Sequence, residues 1–486
     1  MSNVLSNLKP ELVWKYFEEI TQVPHPSKKE EKIREYMINW AKSFGFEYKS
    51  DALGNLVIKK PATPGMENRK TVCIQGHLDM VCEKNSDVEF DFDNDPLKVY
   101  IDGDWVKAEG TTLGADNGIG IAMGMALMTS NDVQHPALEL LCTLDEETGL
   151  TGAIQLSTDL VTADILINLD SEDEDAFTIG CAGGLNTSGI FKYEADEVPS
   201  NHTPFKLTLK GLRGGHSGIE IHDGRANAAK LLSRFLWNAI RKLPIKFVSF
   251  NSGNKHNAIP REAFATVLVP NEQVDEFNNL MNEYKAIFKK EYATKEPNLD
   301  FFCENAEMPN RILKPELAYK VLSSFVAMPH GVIRMSPDIP GLVQTSTNFA
   351  IVETRENEIY VLTSQRSSVE SEKRFVENMV YAALELGGAT VATGDGYPAW
   401  EPNVNSEILN VAKEVYKNVL GKEPKIEAIH AGLECGLIGE KYPGIDMLSC
   451  GPNLRDVHSP DERVSISSVQ RIWNFLVELI KNIPQK

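Results

Sequence analysis

Short apolar segments alternate with helical segments in the first third of the chain, and this alternation limits the possible folds more than any other feature. Segments with strand character occupy residues 55–59, 71–75, 138–144 and 164–169. A helix is predicted at residues 117–128, between the second and third of these segments. Strands that are apolar along their whole length are buried on both faces, and helices supply the cover. The pattern therefore predicts an α/β fold with a mostly parallel sheet flanked by helices.

An amphipathic helix is predicted ahead of these strands. Six side chains recur there at helical spacing: Ile33, Tyr36, Met37, Trp40, Ala41 and Phe44. Gly45 follows, where glycine commonly ends a helix. Ser27 and Glu30 have the spacing of a capping box before its first turn. The sequence therefore marks both ends of this helix.

The chain changes character after Gly184. Strands of alternating polarity and two long helical patterns follow, which is typical of an α+β unit. The turn-rich segment GYPAWEPN, after Asp395, predicts the return of the chain to the first domain. We therefore expect a first domain built from residues 1–183 and 401–486, interrupted by an inserted α+β domain at residues 184–400.

Charge and cysteine content exclude several classes of protein. The chain has 49 Lys and Arg against 69 Asp and Glu, a formal net charge of −20, which disfavours nucleic acid and anionic membranes as partners. No secretory signal and no apolar run of about 18 residues is evident, which predicts neither export nor a membrane span. The seven cysteines are scattered without a CxxC pair, which indicates reduced thiols. We expect a cytoplasmic protein.

Side chains that bind metals follow four predicted strands at their carboxyl ends. These side chains are His77, Glu147, Asp170 and, in a loop after a further predicted strand at residues 444–449, His458. Asp116 precedes the helix at 117–128 and would lie at the same edge. The carboxyl ends of the strands in an open α/β sheet form one rim where ligands bind. We therefore expect these five side chains to converge.

The donor set favours a pair of divalent cations. Imidazole and carboxylate ligands suit zinc, with cobalt or manganese as substitutes. Two metals about 3.5–4 Å apart need a shared carboxylate and an acid that is not a ligand. Glu146 is left over for the base role, and in a non-helical loop it would point away from Glu147. Asp79 is placed to accept the other imidazole N–H of His77.

Each of these motifs also has an ordinary structural interpretation. Asp-Glu-Glu at 145–147 is often a solvated acidic turn, and Asp116 could cap the helix that follows it. Asp170 begins an acidic run that could belong to the surface. Their common position at predicted strand ends favours the metal site.

A second set of candidates lies mostly in the inserted segment, with Gly432 beyond its end. His216 lies in a glycine-rich loop, where the backbone can approach a ligand closely. Arg366 could hold a carboxylate through two hydrogen bonds, and Asn257 and Gly432 are further binding candidates. The alternatives are a turn with an incidental histidine, a surface ion pair and a tight loop. Cys435, the one cysteine near a histidine in this part of the sequence, is interpreted as structural.

Eight motifs resemble one family closely. They are GHLDMV, GTTLGADNGIG, DEETGLTGA, CAGG, KGLRGGHSG, NAIPREAFAT, HAGLECG and HSPDE, and they extend from Gly76 to Glu462. Their order is similar to that of the two-zinc exopeptidases that include carnosinases, bacterial glutamate carboxypeptidase and aminoacylase. The resemblance implies a zinc-exopeptidase type of α/β fold, in which the inserted domain serves as a lid and dimerisation domain.

The resemblance also implies a role for each candidate residue. His77 and Asp170 would bind one metal, Glu147 and His458 the other, and Asp116 both. Glu146 would be the general base, supported by Asp79. The remaining candidates would contact the substrate, and they are His216, Asn257, Arg366 and Gly432. His216 would polarise the scissile carbonyl, and in related dimers this histidine can come from the partner subunit.

The function implied by the resemblance is metal-dependent hydrolysis of unblocked dipeptides, including Xaa-His and β-alanyl-histidine. A homodimer is expected, with a lid that admits only short substrates. One alternative is an N-acyl amino acid deacylase or carboxypeptidase that uses the same metals. A second alternative is a non-catalytic binding protein on the same scaffold.

Overall fold

The computed structural model describes residues 4–486. Its α-helices, in chain order, are α1 (Glu11–Thr21), α2 (Glu31–Phe44), α3 (Ala115–Thr129), α4 (Glu146–Gly149), α5 (Thr151–Gln155), α6 (Ala228–Lys242), α7 (Val274–Glu291), α8 (Pro315–Ala327), α9 (Glu370–Leu386), α10 (Glu407–Leu420), α11 (Glu434–Lys441) and α12 (Ile466–Lys481).

Its strands are β1 (Glu47–Ser50), β2 (Leu56–Lys60), β3 (Val72–His77), β4 (Val99–Asp102), β5 (Trp105–Ala108), β6 (Leu138–Thr143), β7 (Ile165–Asn168), β8 (Ala176–Cys181), β9 (Gly183–Lys192), β10 (Ala195–Asp196), β11 (His202–Lys210), β12 (Lys246–Ser252), β13 (Ala263–Pro270), β14 (Asp300–Asn305), β15 (Ile312–Leu313), β16 (Gly331–Met335), β17 (Val343–Thr354), β18 (Glu358–Ser367), β19 (Thr390–Thr393), β20 (Lys425–Ile429), β21 (Asp446–Ser449), β22 (Leu454–Arg455) and β23 (Arg463–Ser465).

These elements group into two units. Among the described residues, the first contains 4–181, 400–428 and 433–486, and the second contains 182–399 and 429–432. The short segment 429–432 differs from the expectation, which placed it in the first domain together with the rest of residues 401–486. Its backbone pairs with the start of the second unit, where the N–H of Ala182 donates to the carbonyl of Ile429 at 2.9 Å.

The first unit is built on an eight-stranded sheet with the order β1-β2-β6-β3-β7-β21-β8-β20. The four central strands, β6, β3, β7 and β21, pair in parallel, while β1, β2 and β8 pair antiparallel to their neighbours. Helices α3 and α10 pack against this sheet. The α/β fold predicted from the apolar segments is confirmed, but the sheet is mixed rather than mostly parallel, because antiparallel strands flank its parallel centre.

The parallel strands end at one edge of this sheet. Strand β3 ends at His77, β6 at Thr143, β7 at Asn168 and β21 at Ser449. All four strands are almost entirely buried, so their side chains are held in one arrangement by packing. The loops that follow these strands therefore start from fixed positions at the rim of the sheet.

The second unit is an antiparallel sheet covered by helices. Its strands follow the order β14-β11-β13-β12-β17-β18-β9-β19, and β16 pairs with β17. Helices α6 and α8 pack against β12 over an apolar core that includes Phe235, Phe277 and Phe301. The aromatic rings of Phe235 and Phe301 meet edge to face at 5.0 Å between centroids. This is the α+β character that the alternating segments predict.

The predicted helix at 33–44 corresponds to α2, and Gly45 ends it in the left-handed region at φ 70°. The predicted capping box is wrong. Glu30 accepts the backbone N–H groups of Lys28 and Asp145, each at 2.9 Å, and the hydroxyl of Ser27 donates to Asp79 at 2.7 Å. Both side chains bind the loops at the sheet edge because these distant partners compete with the local cap.

None of the helices within residues 4–486 has the length and apolar character needed to cross a membrane. All seven cysteines are free thiols. Six of the seven lie in the first unit, and Cys435 is fully buried. Burial raises the pKa of the Cys435 thiol well above its usual value, so this thiol stays protonated, in agreement with its structural interpretation.

Candidate metal centre

The five candidate metal ligands come from five separate segments of the first unit. His77 is the last residue of β3, and Asp170 lies two residues beyond β7. Asp116 lies at the start of α3, Glu147 in the single turn of α4, and His458 in the loop between β22 and β23. The structure brings all five together as expected. Two groups, each with ligand atoms within 4.8 Å of one another, contain His77, Asp116 and Asp170, and Asp116, Glu147 and His458.

The carboxylate of Asp116 lies between the two imidazoles. Its Oδ1 is 3.1 Å from Nε2 of His77, and its Oδ2 is 3.3 Å from Nε2 of His458. Asp170 Oδ1 lies 3.4 Å from the same nitrogen of His77, and Glu147 Oε2 lies 3.0 Å from that of His458. Each imidazole therefore faces one oxygen of the shared carboxylate and one oxygen of a second carboxylate.

Two carboxylate oxygens in this cluster form no hydrogen bond within residues 4–486. They are Oε1 of Glu147 and Oδ1 of Asp170, and both are buried. A buried carboxylate oxygen without a partner costs free energy unless a cation or a donor satisfies it. Imidazole nitrogens with unpaired carboxylate oxygens are the donors that zinc, cobalt and manganese accept. The residues present therefore fit two divalent cations.

The pKa values of these groups shift in the directions that attraction between the imidazoles and the carboxylates produces. Hydrogen bonds to Asp116 and Glu147 raise the pKa of His458 to about 11. Burial lowers the pKa of His77, but Asp170 and Asp116 outweigh this and raise it well above its usual value. Burial raises the pKa of Asp116, but His458 and His77 hold it well below its usual range. Cations bound at these atoms would replace the protons.

Glu146 lies beside the proposed ligands, but it is not one of the carboxylates that pair with His77 or His458. Burial raises the pKa of Glu146 well above its usual value, and Asp170, Glu434 and Glu147 raise it further. The expectation of a non-helical loop is wrong, since Glu146 and Glu147 form the first turn of α4. The carboxylates crowded here repel one another, and two cations would relieve that repulsion.

Asp79 joins the His77 strand to the glutamate turn. Its Oδ1 accepts the backbone N–H of Glu146 at 3.0 Å, and its Oδ2 accepts that of Glu147 at 3.3 Å. Nδ1 of His77 lies 3.0 Å from the carbonyl oxygen of Asp79 and 3.4 Å from its Oδ1. The imidazole N–H of His77 therefore points to the backbone oxygen of Asp79 and not, as expected, to its carboxylate. The carboxylate of Asp79 instead holds the backbone of both glutamates.

Two residues of the site have a left-handed backbone without being glycine. Asp145, directly before the glutamates, has φ 50°, and His458 has φ 61°. This conformation costs about 1–2 kcal/mol for such residues, and strained residues cluster at functional sites. At Asp145 the side chain offsets the cost by accepting the hydroxyls of Thr148 and Thr151. The left-handed residue turns the chain sharply between β6 and α4.

Sequence reasoning missed the role of Glu462. Its carboxylate is 2% exposed and accepts four consecutive backbone N–H groups, those of residues 113–116, at 2.7–3.2 Å. The segment that carries Asp116 is therefore held by a carboxylate more than 300 positions away in the chain. The motif HSPDE contains Glu462, but no local pattern indicates which backbone it binds.

We expect Glu462→Ala to lower the free energy of unfolding by about 2–3 kcal/mol, because buried N–H groups lose their acceptor. The measurement is the urea unfolding midpoint, with bound metal counted on the same samples. Asp461→Ala is the matched control, since Asp461 is the exposed neighbour in the same loop. A midpoint for Glu462→Ala equal to that of the control would exclude this role.

A second missed carboxylate is Glu434, which begins α11. It is 2% exposed, and its Oε2 accepts the side chains of Gln75 at 2.6 Å and Thr143 at 2.8 Å. Its Oε1 has no hydrogen-bond partner within residues 4–486. Burial raises the pKa of Glu434 to about 6. Gln75 lies in β3, two residues before His77, and Thr143 ends β6, so Glu434 joins the two strands that lead to His77 and the glutamate turn.

The second unit, considered by itself, places His216 and Asn257 on one cavity. This cavity has a volume of about 650 Å³ and is also lined by the cationic side chains of Arg213, Lys255 and Arg261. Backbone hydrogen bonds join the two segments, since the N–H of Ser217 donates to the carbonyl of Asn257 at 2.8 Å. The side chain of Asn257 makes no hydrogen bond within the described part of the chain.

The hydrogen bonds of the His216 ring place its proton on Nε2. Nδ1 is 3.2 Å from the backbone N–H groups of both Gly218 and Ile219, so this nitrogen accepts. Burial, with the nearby charge of Arg366, lowers the pKa of His216 and keeps the ring neutral. A neutral imidazole that accepts at Nδ1 carries its proton on Nε2. His216 is therefore a hydrogen-bond donor at Nε2.

Arg366 and Gly432 lie in the same unit and share one neighbour, Tyr397. The guanidinium of Arg366 donates to the hydroxyl of Tyr397 at 2.9 Å. A Cβ atom at Gly432 would lie 2.8 Å from the ring of Tyr397. The alternative interpretation of Arg366 as part of a surface ion pair is wrong, since this side chain is 7% exposed and has no ion-pair partner within residues 4–486.

Three comparisons relate the chain to known proteins. A family model described as peptidase family M20/M25/M40 matches residues 73–482. The chain is 45% identical over 482 residues to the cytosol non-specific dipeptidase of Escherichia coli strain K12, which covers 99% of both chains. The crystal structure of aminoacylhistidine dipeptidase from Vibrio alginolyticus matches with a TM-score of 0.95 and 44% identity, covering 99% of this chain and 98% of that one.

A more distant structure shows how widely the fold occurs. Aminopeptidase PepT from Bacillus cereus matches with a TM-score of 0.58 and 16% identity, covering 98% of this chain and 99% of that one. At this level of identity the likeness concerns the fold alone.

Proposed function

The chain belongs to peptidase family M20/M25/M40 and is a metallopeptidase, and we propose that it hydrolyses unblocked dipeptides, including Xaa-His and β-alanyl-histidine. Two relatives support this substrate class. One is a cytosol non-specific dipeptidase and the other an aminoacylhistidine dipeptidase, and both match along 98% or more of their length.

The observation that carries the proposed chemistry is the position of Asp116 between two imidazoles. We assign His77 and Asp170 to one cation, and Glu147 and His458 to the other. Asp116 would bind both, because each of its oxygens faces a different imidazole. We propose zinc as the metal, because imidazole and carboxylate ligands suit it.

Bound cations of this kind lower the pKa of water and stabilise negative charge on a carbonyl oxygen. Glu146 is the residue that would take the proton of the attacking water and donate it to the leaving amine nitrogen. It lies within reach of the cluster, since His77, Glu146 and Glu147 offer atoms within 4.8 Å of one another. Asp79 holds the backbone of this turn and so fixes the direction of Glu146.

The residues of the second unit would bind the substrate. His216 presents an N–H donor at Nε2, which suits the oxygen of the scissile carbonyl. Nε of Arg366 and the side-chain amide of Asn257 are donors without a hydrogen-bond partner within residues 4–486, and Gly432 lets the backbone approach a peptide closely. We further propose that this unit acts as a lid and dimerisation domain, that the chain forms a homodimer, and that it works in the cytosol.

The test is a substrate panel on metal-free protein. Chelation is expected to abolish hydrolysis, and zinc, cobalt or manganese added singly should restore it, because the ligand set accepts all three. The panel contains Xaa-His dipeptides, β-alanyl-histidine, N-acetyl amino acids and a ten-residue peptide. We expect cleavage of the free-amino dipeptides only, measured as the appearance of both free amino acids.

Two outcomes would contradict the proposed function. Cleavage of the N-acetyl amino acids without the free-amino dipeptides would identify a deacylase or carboxypeptidase instead. Cleavage of the ten-residue peptide at a rate comparable to that of a dipeptide would exclude a lid that admits only short substrates. Magnesium added to the metal-free protein is the control for a non-specific effect of divalent cations.

A further inference from the structure

We infer that Tyr397 is a positioning residue that holds the guanidinium of Arg366 in the orientation that receives the C-terminal carboxylate of a substrate. This inference rests on the proposed function and adds to it, because it concerns how the same site distinguishes a free carboxylate from a blocked one. All the residues involved belong to the second unit.

The backbone of Tyr397 is fixed by hydrogen bonds on both sides. Its N–H donates to the carbonyl of Gly184 at 2.8 Å, and its own carbonyl accepts the N–H of Gly184 at 3.1 Å. The same carbonyl accepts Nζ of Lys373 at 2.8 Å. Lys373 is only 2% exposed, so this bond is shielded from water. The start of the Tyr397 side chain therefore has a defined position.

The ring of Tyr397 lies against two glycines. A Cβ atom at Gly184 would be 2.6 Å from Cζ of the ring, and a Cβ atom at Gly432 would be 2.8 Å from Cε2. Real side chains do not approach this closely, so the ring fits only because neither position has a side chain. The close contact with both glycines restricts sideways movement of the whole ring about χ1, and the hydroxyl is therefore held in one place.

The hydroxyl of Tyr397 contacts the buried guanidinium of Arg366, which has no anionic partner within residues 4–486. Arg366 is 7% exposed, and its Nη1 donates to the Tyr397 hydroxyl at 2.9 Å. No Asp or Glu of residues 4–486 pairs with it, and its Nε is buried without a hydrogen-bond partner. A buried charge without a partner is costly, and a bound carboxylate would offset that cost. The neutral phenol orients the guanidinium without neutralising it.

Orientation matters because the guanidinium is planar and rigid. It presents five N–H donors in fixed directions, and it binds a carboxylate best through two parallel hydrogen bonds. A bond at Nη1 fixes the rotation of this plane and therefore the direction of the remaining donors. Loss of the hydroxyl would free the plane to rotate, which would weaken binding of a carboxylate but not of a neutral amide.

The experiment compares wild type and Tyr397→Phe on two substrates, a dipeptide and the same dipeptide with a C-terminal amide. The variant keeps the ring and loses only the hydroxyl. We expect kcat/KM for the free dipeptide to fall about 10-fold, mainly through KM, as for loss of one hydrogen bond to a charged group. The value for the amide should stay within about twofold, because the charge-assisted bond is not used there.

A double-mutant cycle tests whether Tyr397 acts through Arg366. Arg366→Ala should remove most of the preference for the free carboxylate, and Tyr397→Phe should have no further effect in that background. Tyr193→Phe is the matched control, because the hydroxyl of Tyr193 donates to the carbonyl of Arg355 at 3.1 Å in the same unit. It should leave the preference unchanged, and the melting temperatures of both Phe variants show that they fold.

Three outcomes would overturn the inference. An unchanged preference in Tyr397→Phe would show that the hydroxyl does not orient Arg366. An equal loss on both substrates would reduce Tyr397 to a packing residue. A wild-type enzyme that hydrolyses both substrates equally would show that no carboxylate is recognised. Wild type that cleaves no dipeptide at all would instead overturn the proposed function, and the inference with it.

Discussion

Glu146→Gln is expected to lower kcat by about 10²–10⁴-fold, which is the usual contribution of a general acid–base residue. Glutamine keeps the shape of the side chain but cannot accept and return a proton. The backbone N–H of residue 146 would still donate to Asp79, so the turn should keep its position. Steady-state kinetics on a dipeptide, with metal content measured on the same sample, tests this result.

Metal content separates loss of the base from loss of the site. The variant should retain two cations per chain, because the five proposed ligands are unchanged. Glu35→Gln is the charge-matched control, since Glu35 is exposed in the same unit and should keep the wild-type rate. A value of kcat for Glu146→Gln within about tenfold of wild type would remove Glu146 from the base role.

Asp116→Asn is expected to weaken the binding of both cations by more than about 100-fold. Mutation of a residue that only supports a ligand costs about 10–100-fold in metal affinity, and a shared ligand should cost more. Each oxygen of Asp116 faces a different imidazole, so one substitution removes an anionic donor from both positions. Titration of the metal-free protein with zinc or cobalt, followed calorimetrically, measures the two affinities.

Two comparisons make this result specific. Asp170→Asn should weaken one cation more than the other, because Asp170 lies beside His77 alone. Asp173→Asn, in the same acidic run but exposed, should bind two cations as wild type does. If Asp116→Asn retained both cations at wild-type affinity, the assignment of a shared carboxylate would be wrong.

The main sheet of the first unit was predictable because burial leaves a direct record in the sequence. Segments such as 71–75 and 138–144 are mainly apolar, and they correspond to β3 and β6 at the centre of the sheet. The bounds differ by a few residues because hydrogen bonding, not composition, determines where a strand ends. The segment 429–432 was not predicted in the second unit, because four residues carry too little pattern to show their pairing.

The candidate ligands were predictable for a related reason. Parallel strands deliver their carboxyl ends to one edge, so His77 and Asp170 could be placed together from the order of the strands alone. Asp116 could be placed at the same edge from the helix predicted at 117–128, and His458 from the loop after a predicted strand, and the structure brings all of these side chains into two overlapping groups. Their roles as metal ligands remain predictions that the titrations above test.

Residues that act through distant backbone atoms left no such record. Ser27 and Glu30 matched a capping box, but they bind Asp79 and Asp145 instead. Glu462 lies in the motif HSPDE, yet the four backbone N–H groups that donate to it belong to residues 113–116. A carboxylate can accept from any donor that the fold brings near it, so its partner cannot be read from its own neighbours in the chain.

The sequence by itself determined the α/β fold, the family and the chemical types of the ligands, since burial and donor chemistry are properties of residue type and local order. Only the tertiary structure decided which oxygen of Asp116 faces which imidazole, and that Tyr397 meets the buried Arg366. Such contacts depend on distances of about 3 Å between groups far apart in the chain. Packing of the whole chain sets those distances, and no local pattern encodes them.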